Sequence, residues 1–414
     1  MSSILIDRFR EETSKLKDLR MKKEVERDVA YATGFLAFDF MNGTIVHVKT
    51  ETMNFKYNSV GVVDGSIVMI IGRSGCGKTT FTIQSAAQII KPFKTGAIYH
   101  DNIEGGIIQS RIETLTEMDS ASLKGVYLAR NSGVNSENVY ERVKMIHDLK
   151  LSNKQDYEYN TGLLDEEGNP IIKLEPTVYI LDSLAMLMPD KLTEEESMSG
   201  QMSTTAAAKT NAQLFRRIVP MLKAANIIFF VINHITEKVE INMFSKKKAQ
   251  LSFLKQDETL PGGRTPVYLS NLLIRLDDGA KLKESEGFGI KGSIVEVTLL
   301  KSRSSAAGNS VNLIFDLDNG FDRDLSMFQL LKEKGYVKGA GAYLYFDKHD
   351  EIKFAQKNFK TKLQENENLQ KIFSEVSYEV LMTLINKPVE HDQESKKFDI
   401  ASAIYNMNSV MNAA

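Results

Sequence analysis

One stretch of this sequence concentrates chemistry: Gly72, Arg73, Ser74, Gly75, Cys76, Gly77, Lys78, Thr79 and Thr80, which follow an apolar run and open a helical stretch beginning FTIQSAAQII. Glycine, four residues, then Gly-Lys-Thr, between strand and helix, predicts a phosphate-binding loop for ATP with Mg²⁺. Gly72, Gly75 and Gly77 let backbone N–H groups converge on phosphate oxygens with no Cβ in the way. A helix starting at Lys78 adds the positive end of its dipole. Lys78 supplies a point charge to the β and γ phosphates. The Thr79 hydroxyl is a ligand for Mg²⁺, which bridges those phosphates and takes up charge as the γ bond breaks. Cys76 is expected to face the loop as a small side chain.

Such a loop needs a carboxylate at a strand end to hold the magnesium shell. Asp182 answers that need, directly after the apolar residues of VYIL. A plain strand-terminal turn would also use an Asp. Hydrolysis further needs a group that orients water. Asp101 and Glu104, in YHDNIEGG, are the two candidates for a general base.

The elements that must position these residues read as short β-rich runs alternating with helical stretches from Gly65 onward. The runs are SIVMIIG (66–72), GAIYHD (96–101), TVYILDS (177–183), NIIFFVIN (226–233), NLLIRLD (271–277) and SIVEVTLLKSR (293–303). The first four are near-continuous apolar strings, as expected of parallel strands buried on both faces. The pattern predicts an α/β fold with a central, mainly parallel sheet. Two segments interrupt it. Residues 151–176 are polar with turn signals and read as a surface insertion before a core strand. Residues 236–265 end in Pro261-Gly262-Gly263 and form a longer loop than ordered domains carry without a use for it.

With 414 residues, 42% apolar and 26% charged, the chain is an ordinary globular protein of more than one domain rather than a disordered or low-complexity one. Fifty-two Lys and Arg against 54 Asp and Glu give a net charge of -2, so an anionic partner must be held by a local patch. Cys76 is the single cysteine and the six His form no cluster, which excludes an internal disulfide and a zinc site and suggests a reducing, cytoplasmic setting. Acids in the first turns speak against a secretory signal, and no apolar stretch is long enough to span a membrane. Ile4, Leu5, Phe9, Leu16, Leu19 and Val25, set among dense mixed charge, suggest an N-terminal helix over 1–30. Its stripe would suit packing on its own core or docking on a neighbour. A core over 31–324 and a small α+β domain over 325–414 complete the expected organisation.

YATGFLAFDFMNG (31–43), the phosphate loop, VYILDSLAML, FFVINH, the glycines of PGGRT and LLKSR stand in the order of the RecA/UvsX recombinase family, bacterial RecA and its phage relatives. GAGAYLYF and FAQKNFKTKLQENENLQ (354–370) resemble the small C-terminal domain of bacterial RecA. The resemblance implies a RecA-like ATPase core with an N-terminal oligomerisation segment. It implies an ATP-dependent recombinase that forms a head-to-tail filament on single-stranded DNA, pairs it with homologous double-stranded DNA and exchanges strands. By resemblance Glu104 is the catalytic glutamate, although Asn102 and Ile103 both separate it from Asp101 where the family has one residue. Asn233 and His234 match the position that senses the γ phosphate; the family often has Gln in place of His234. Lys301 and Arg303, two apart on a strand and so on one side, match the basic pair that completes the neighbouring subunit's ATP site in trans. On pattern alone they are solvated strand-end cations.

The same resemblance assigns the DNA surface to two loops. Residues 187–209, with Met198, Met202 and Lys209, match the first; 235–265, with Phe244, Lys246, Lys247, Lys248, Phe253, Lys255, Gly262, Gly263 and Arg264, match the second. Arg216, on the helix after the first loop, would support this surface. Cations that neutralise phosphates, interleaved with apolar side chains that wedge between bases, suit single-stranded DNA, and the paired glycines permit close approach to phosphate. The run at 246–248 by itself is a solvated face. The stretches 44–60 and 151–176 have no counterpart in the family, and the C-terminal tail is not strongly acidic, as expected of a divergent member, phage-encoded ones included. A RecA-fold hexameric motor or helicase and an ATP-gated DNA-binding scaffold share the phosphate loop and are the rival readings.

Overall fold

The computed structural model describes residues 28–49, 54–165, 168–189, 200–237, 251–285 and 287–386, with backbone alone at 49 and 200–205. The amphipathic stripe at 4–25 and the chain beyond 386 lie outside the described residues.

Among the described residues nine strands form the central sheet, in the spatial order Gly320–Asp322, Ser310–Asp316, Gly292–Ser302, Leu272–Leu282, Ile67–Gly72, Ile227–His234, Thr177–Asp182, Ala97–Asn102, Tyr127–Arg130. Pairing is parallel from Leu272–Leu282 to Tyr127–Arg130 and antiparallel through the other three. All six β-rich runs are strands of this sheet. The architecture is mixed α/β with a mostly parallel sheet, consistent with a RecA-like core.

The apolar strings are continuous because both sheet faces are covered. Val68 and Ile70 face one hydrophobic cluster while Ile67, Met69 and Ile71 face the other, as the two-residue period requires. Helix Lys78–Ile90 seals the first face with Phe81, Ile83, Ala86 and Ile90. Helices Ser136–Ser152 and Gly200–Ala225 seal the second with Val139, Val143, Phe215 and Ile218. Burying each large side chain contributes about 1.5–3 kcal/mol, so these helices are held by packing more than by propensity.

The segment expected to be a plain surface insertion is more ordered than its polarity suggests. Its preceding helix runs to Ser152, and Glu158–Leu164 pairs antiparallel with Pro170–Leu174. Tyr159 Oη lies 2.7 Å from Tyr31 Oη, and Lys173 Nζ lies 3.1 Å from buried Asp64. These contacts tie the hairpin to the core edge. The unmatched stretch 44–60 likewise holds a hairpin, Thr44–Lys49 against Asn54–Ser59, whose base bonds to Asn386: Ile45 N donates to its carbonyl at 3.2 Å.

Beyond the sheet, helix Arg323–Glu333 precedes a three-stranded sheet of Val337–Lys338, Leu344–Phe346 and His349–Phe354 and two helices, Phe359–Glu365 and Glu367–Leu384. Phe328, Phe346, Phe354, Phe359 and Phe373 stack in one ring cluster that is continuous with the core beneath helix Leu36–Met41. Among the described residues no helix is long and apolar enough to cross a membrane.

Candidate active site

Strand register gathers the expected chemistry at one edge of the sheet. Gly72 lies beside His234 and Leu276, and Asp182 beside Ile232 and Asn102. These are the carboxyl ends of parallel strands, where open α/β sheets bind ligands. From Gly72 the chain turns through Gly75 (φ +81) and Gly77 (φ +85) into helix Lys78–Ile90. A Cβ at Gly75 would meet nothing within 4 Å, so the left-handed backbone alone demands glycine there; at Gly77 it would also lie 2.9 Å from the Phe321 ring. Cys76 turns inward beneath the loop and its Sγ donates to the Arg73 carbonyl at 3.0 Å. Lys78 is buried, with Nζ donating to the same carbonyl at 2.7 Å. Arg73 and Ser74 are exposed, and Thr80 is half-buried beside Gly320.

Thr79 Oγ1 donates to Asp182 Oδ2 at 2.6 Å. Burial pushes the Asp182 carboxyl up to about 6, against the Thr79 bond, which lowers it. Its Oδ1 is buried with no hydrogen-bond partner among the described residues. A hydroxyl and a carboxylate with a spare buried oxygen fit a hard divalent cation such as Mg²⁺.

Glu104 and Asp101 separate cleanly. Asp101 faces the other side of the sheet, where it accepts from Tyr179 Oη and lies 3.0 Å from the Arg142 guanidinium. Burial raises its carboxyl. The strand period, applied to His100-Asp101-Asn102, indicates that Asp101 points away from Asp182. Glu104 stands in the loop after the strand, half-exposed and hydrogen-bonded to His234 Nε2. Burial pushes its carboxyl up, but the nearby Ser183 hydroxyl, the His234 ring and the Lys78 charge outweigh that and hold it low. Asn233 is fully buried and does structural work: its Nδ2 donates to the Pro261 carbonyl at 2.9 Å and its Oδ1 accepts from His234 N at 2.9 Å.

Lys301 and Arg303 share a target, as their spacing suggests. Lys301 Nζ donates to the carbonyls of Val267, Tyr268 and Ser270, and Arg303 Nη2 to that of Tyr268 at 3.2 Å, capping helix Thr265–Leu269. Lys301 pairs with Leu273, whereas Gly72 lies beside Leu276. The basic pair is therefore at the opposite end of the strands from its own phosphate loop. Burial and the Arg303 charge lower the Lys301 ammonium.

Of the expected DNA-contacting residues, Met198, Phe244, Lys246, Lys247 and Lys248 lie outside the described residues, as does the Met202 side chain. Lys209, Arg216, Lys255 and Arg264 are exposed. Phe253 differs from a free wedge: it is half-buried against the second hydrophobic cluster. Gly262 (φ +83) and Gly263 (φ +86) have an internal role, because Cβ atoms there would lie 2.7 Å from Leu184 and 3.2 Å from Ala208.

Two groupings escaped the sequence reading. Buried Glu258 accepts from both terminal guanidinium nitrogens of Arg275, at 2.8 and 2.9 Å, and Arg275 Nε donates to Asp277. Together with the pairing of Thr236–Glu237 and Glu258–Thr259, this anchors both ends of the second loop next to the phosphate loop. His100 and Tyr127 lie behind Asp182, with His100 Nδ1 and Tyr127 Oη 2.6 Å apart. Charge complementarity between residues so far apart in sequence leaves no local signal. The period of two on YHDN was the only sign that His100 shares a face with Asp182.

No protein-family model matches the chain. It is 23% identical to the RecA protein of Thermotoga neapolitana over 299 residues, covering 72% of each chain. It is 20% identical to the RecA protein of Ureaplasma parvum over 378 residues, covering 91% of this chain and 98% of that one. Against the recombination and repair protein of Enterobacteria phage T4 it is 22% identical over 327 residues, or 78% of this chain and 72% of the other. Low-identity similarity over most of the chain supports a divergent RecA/UvsX-type member.

Proposed function

We propose that this divergent RecA/UvsX-type chain is an ATP-dependent recombinase: a DNA-dependent ATPase that forms filaments on single-stranded DNA and promotes homologous pairing and strand exchange. The similarity to RecA proteins and to a phage recombination and repair protein supports a recombinase role. One observation carries the finer reading. The strands that bring Asp182 and His234 to the phosphate loop are the strands from which segments 187–209 and 235–265 depart. Nucleotide and DNA would be read by the two sides of the same strand ends.

In this reading the N–H groups of residues 73–79 and Lys78 grip the triphosphate, with Lys78 leaving the Arg73 carbonyl to do so. Magnesium, held by Thr79 and through Asp182, supplies charge neutralisation between the phosphates when bound. Glu104 orients and deprotonates the attacking water, and His234 both holds Glu104 and lies where a γ phosphate would reach it. Asn233 transmits strand-end position to the Pro261 turn rather than touching nucleotide. Lys301 and Arg303, remote from their own loop, would complete the site of an adjacent copy in a head-to-tail filament. The remaining domain boundaries, 1–30, 31–324 and 325–414, follow from the same reading, as does a soluble cytoplasmic setting.

Electron microscopy of the protein with ATP, Mg²⁺ and single-stranded DNA tests this directly. Extended helical filaments and ATP hydrolysis stimulated by the DNA are expected. Closed rings would replace the reading with a hexameric motor, and unstimulated hydrolysis with an ATP-gated scaffold.

A further inference from the structure

His100 is 2% exposed and its Nε2 has no hydrogen-bond partner among the described residues, yet that atom lies 4.0 Å from Asp182 Oδ2. Asp182 Oδ1 is likewise buried with no partner among the described residues. Buried polar groups are almost always satisfied, so an unpaired ring nitrogen beside an under-satisfied carboxylate indicates a contact that closes in another state. The two residues are placed for it by the sheet. His100 pairs with Ile180 and Asn102 with Asp182 on adjacent parallel strands, so His100 and Asp182 project from the same face one pleat apart.

Chemistry fixes the direction of the contact. A carboxylate only accepts, so Nε2 must carry the proton that faces it. Nδ1 is then the acceptor, and the Tyr127 hydroxyl, 2.6 Å away, donates to it. Tyr127 thereby selects the tautomer, as partners of catalytic and metal-site histidines do. Closing the gap to hydrogen-bond length takes a shift of about 1 Å. Thr79 and His100 would both address Oδ2, leaving Oδ1 free for the cation's shell.

We propose that His100 is a positioning residue whose Nε2–H orients Asp182 for magnesium–triphosphate, with Tyr127 holding the ring in the required tautomer. This rests on the nucleotide reading above. His100 also lines a cleft of about 230 Å³ with Asn102, Ile107, Leu123 and Tyr127, a route by which a small molecule reaches its position.

The test is the Mg²⁺ concentration that half-saturates binding of a fluorescent, non-hydrolysable ATP analogue to the full chain, together with Mn²⁺ retention measured by electron paramagnetic resonance. Loss of an outer-shell partner weakens metal affinity about 10- to 100-fold. His100→Ala and His100→Asn, which cannot reach Asp182, are expected to raise the half-saturating Mg²⁺ about 10-fold. His100→Gln, which puts an amide donor at the Nε2 position, is expected to stay within about 3-fold of the parent. Imidazole is expected to restore the Ala variant through the cleft. Tyr127→Phe is expected to give an intermediate shift, and it carries the test should the His100 variants not fold. Parent-like Mg²⁺ dependence in folded His100→Asn and Tyr127→Phe, or equal defects in the Gln and Asn variants, would overturn the proposal. A parent protein with no Mg²⁺-dependent nucleotide binding would instead overturn the underlying nucleotide reading.

Discussion

Thr79 and Asp182 stand 103 positions apart, and the hydroxyl of one donates to the carboxylate of the other over 2.6 Å. This contact joins the first turn of the helix after the phosphate loop to the end of a strand two places away in the sheet. Thr79→Ala and Asp182→Asn are each expected to lower Mg²⁺-dependent ATP hydrolysis by about 100-fold, the scale of removing one well-placed electrostatic partner. Steady-state ATPase over a Mg²⁺ titration checks this; parent-like turnover in Asp182→Asn would remove Asp182 from the site.

Glu104 is the carboxylate left facing the site once Asp101 is accounted for by Tyr179 and Arg142. Glu104→Gln is expected to bind ATP normally and hydrolyse it about 10²- to 10⁴-fold more slowly. Asp101→Asn is expected to act on folding instead. Because Glu104 is held below the usual carboxylate range, it is ionised throughout the neutral region. A pH–rate profile should therefore show no loss of base from this group down to pH 6. The acid limb expected near 6 belongs to Asp182, whose carboxyl burial pushes up to about 6, and loss of activity already setting in above pH 7 would assign the base elsewhere.

Lys301 and Arg303 cap a helix at the far end of the strands from Gly72. Lys301→Ala and Lys78→Ala proteins should each be inactive alone. Mixed with single-stranded DNA, they should recover activity at interfaces that pair an intact phosphate loop with an intact Lys301. Mixtures no more active than their parts would mean that the pair acts only as a helix cap. Loss of that cap is expected to cost Lys301→Ala about 1 kcal/mol of stability in denaturant unfolding.

Lys150 offers a stability signature independent of function. The residue is 3% exposed; its ammonium donates to the Glu175 carbonyl at 2.6 Å and to Thr177 Oγ1 at 3.1 Å, and burial pushes it down from 10.5 to about 7. Between those values the unfolded chain binds more protons than the folded one, so stability rises with pH from about 7 to 10.5. The gain is roughly 2 to 5 kcal/mol, and below pH 7 it is absent. Lys150→Met is expected to flatten this slope relative to the parent in urea unfolding at pH 6.5 and 9.5.

What the sequence determined by itself was whatever depends on neighbours along the chain. The phosphate loop was legible because Gly75 and Gly77 must adopt positive φ within a fixed spacing from Lys78 and Thr79. The six strands were legible because burial on both faces makes their apolar runs continuous, and Asp182 stood out as the polar residue ending one of them. Tertiary structure alone decided how those ends are aligned. Register made Asp182 the partner of Thr79 and turned Asp101 to the far face. It set His100 behind the site, tied Asn233 to Pro261, and joined Glu258 to Arg275. It also converted the polar stretch at 158–174 into a hairpin fastened by Tyr159 and Lys173. A side chain's face and its cross-strand partner follow from pairing between distant segments, and that pairing leaves only a weak trace in local composition.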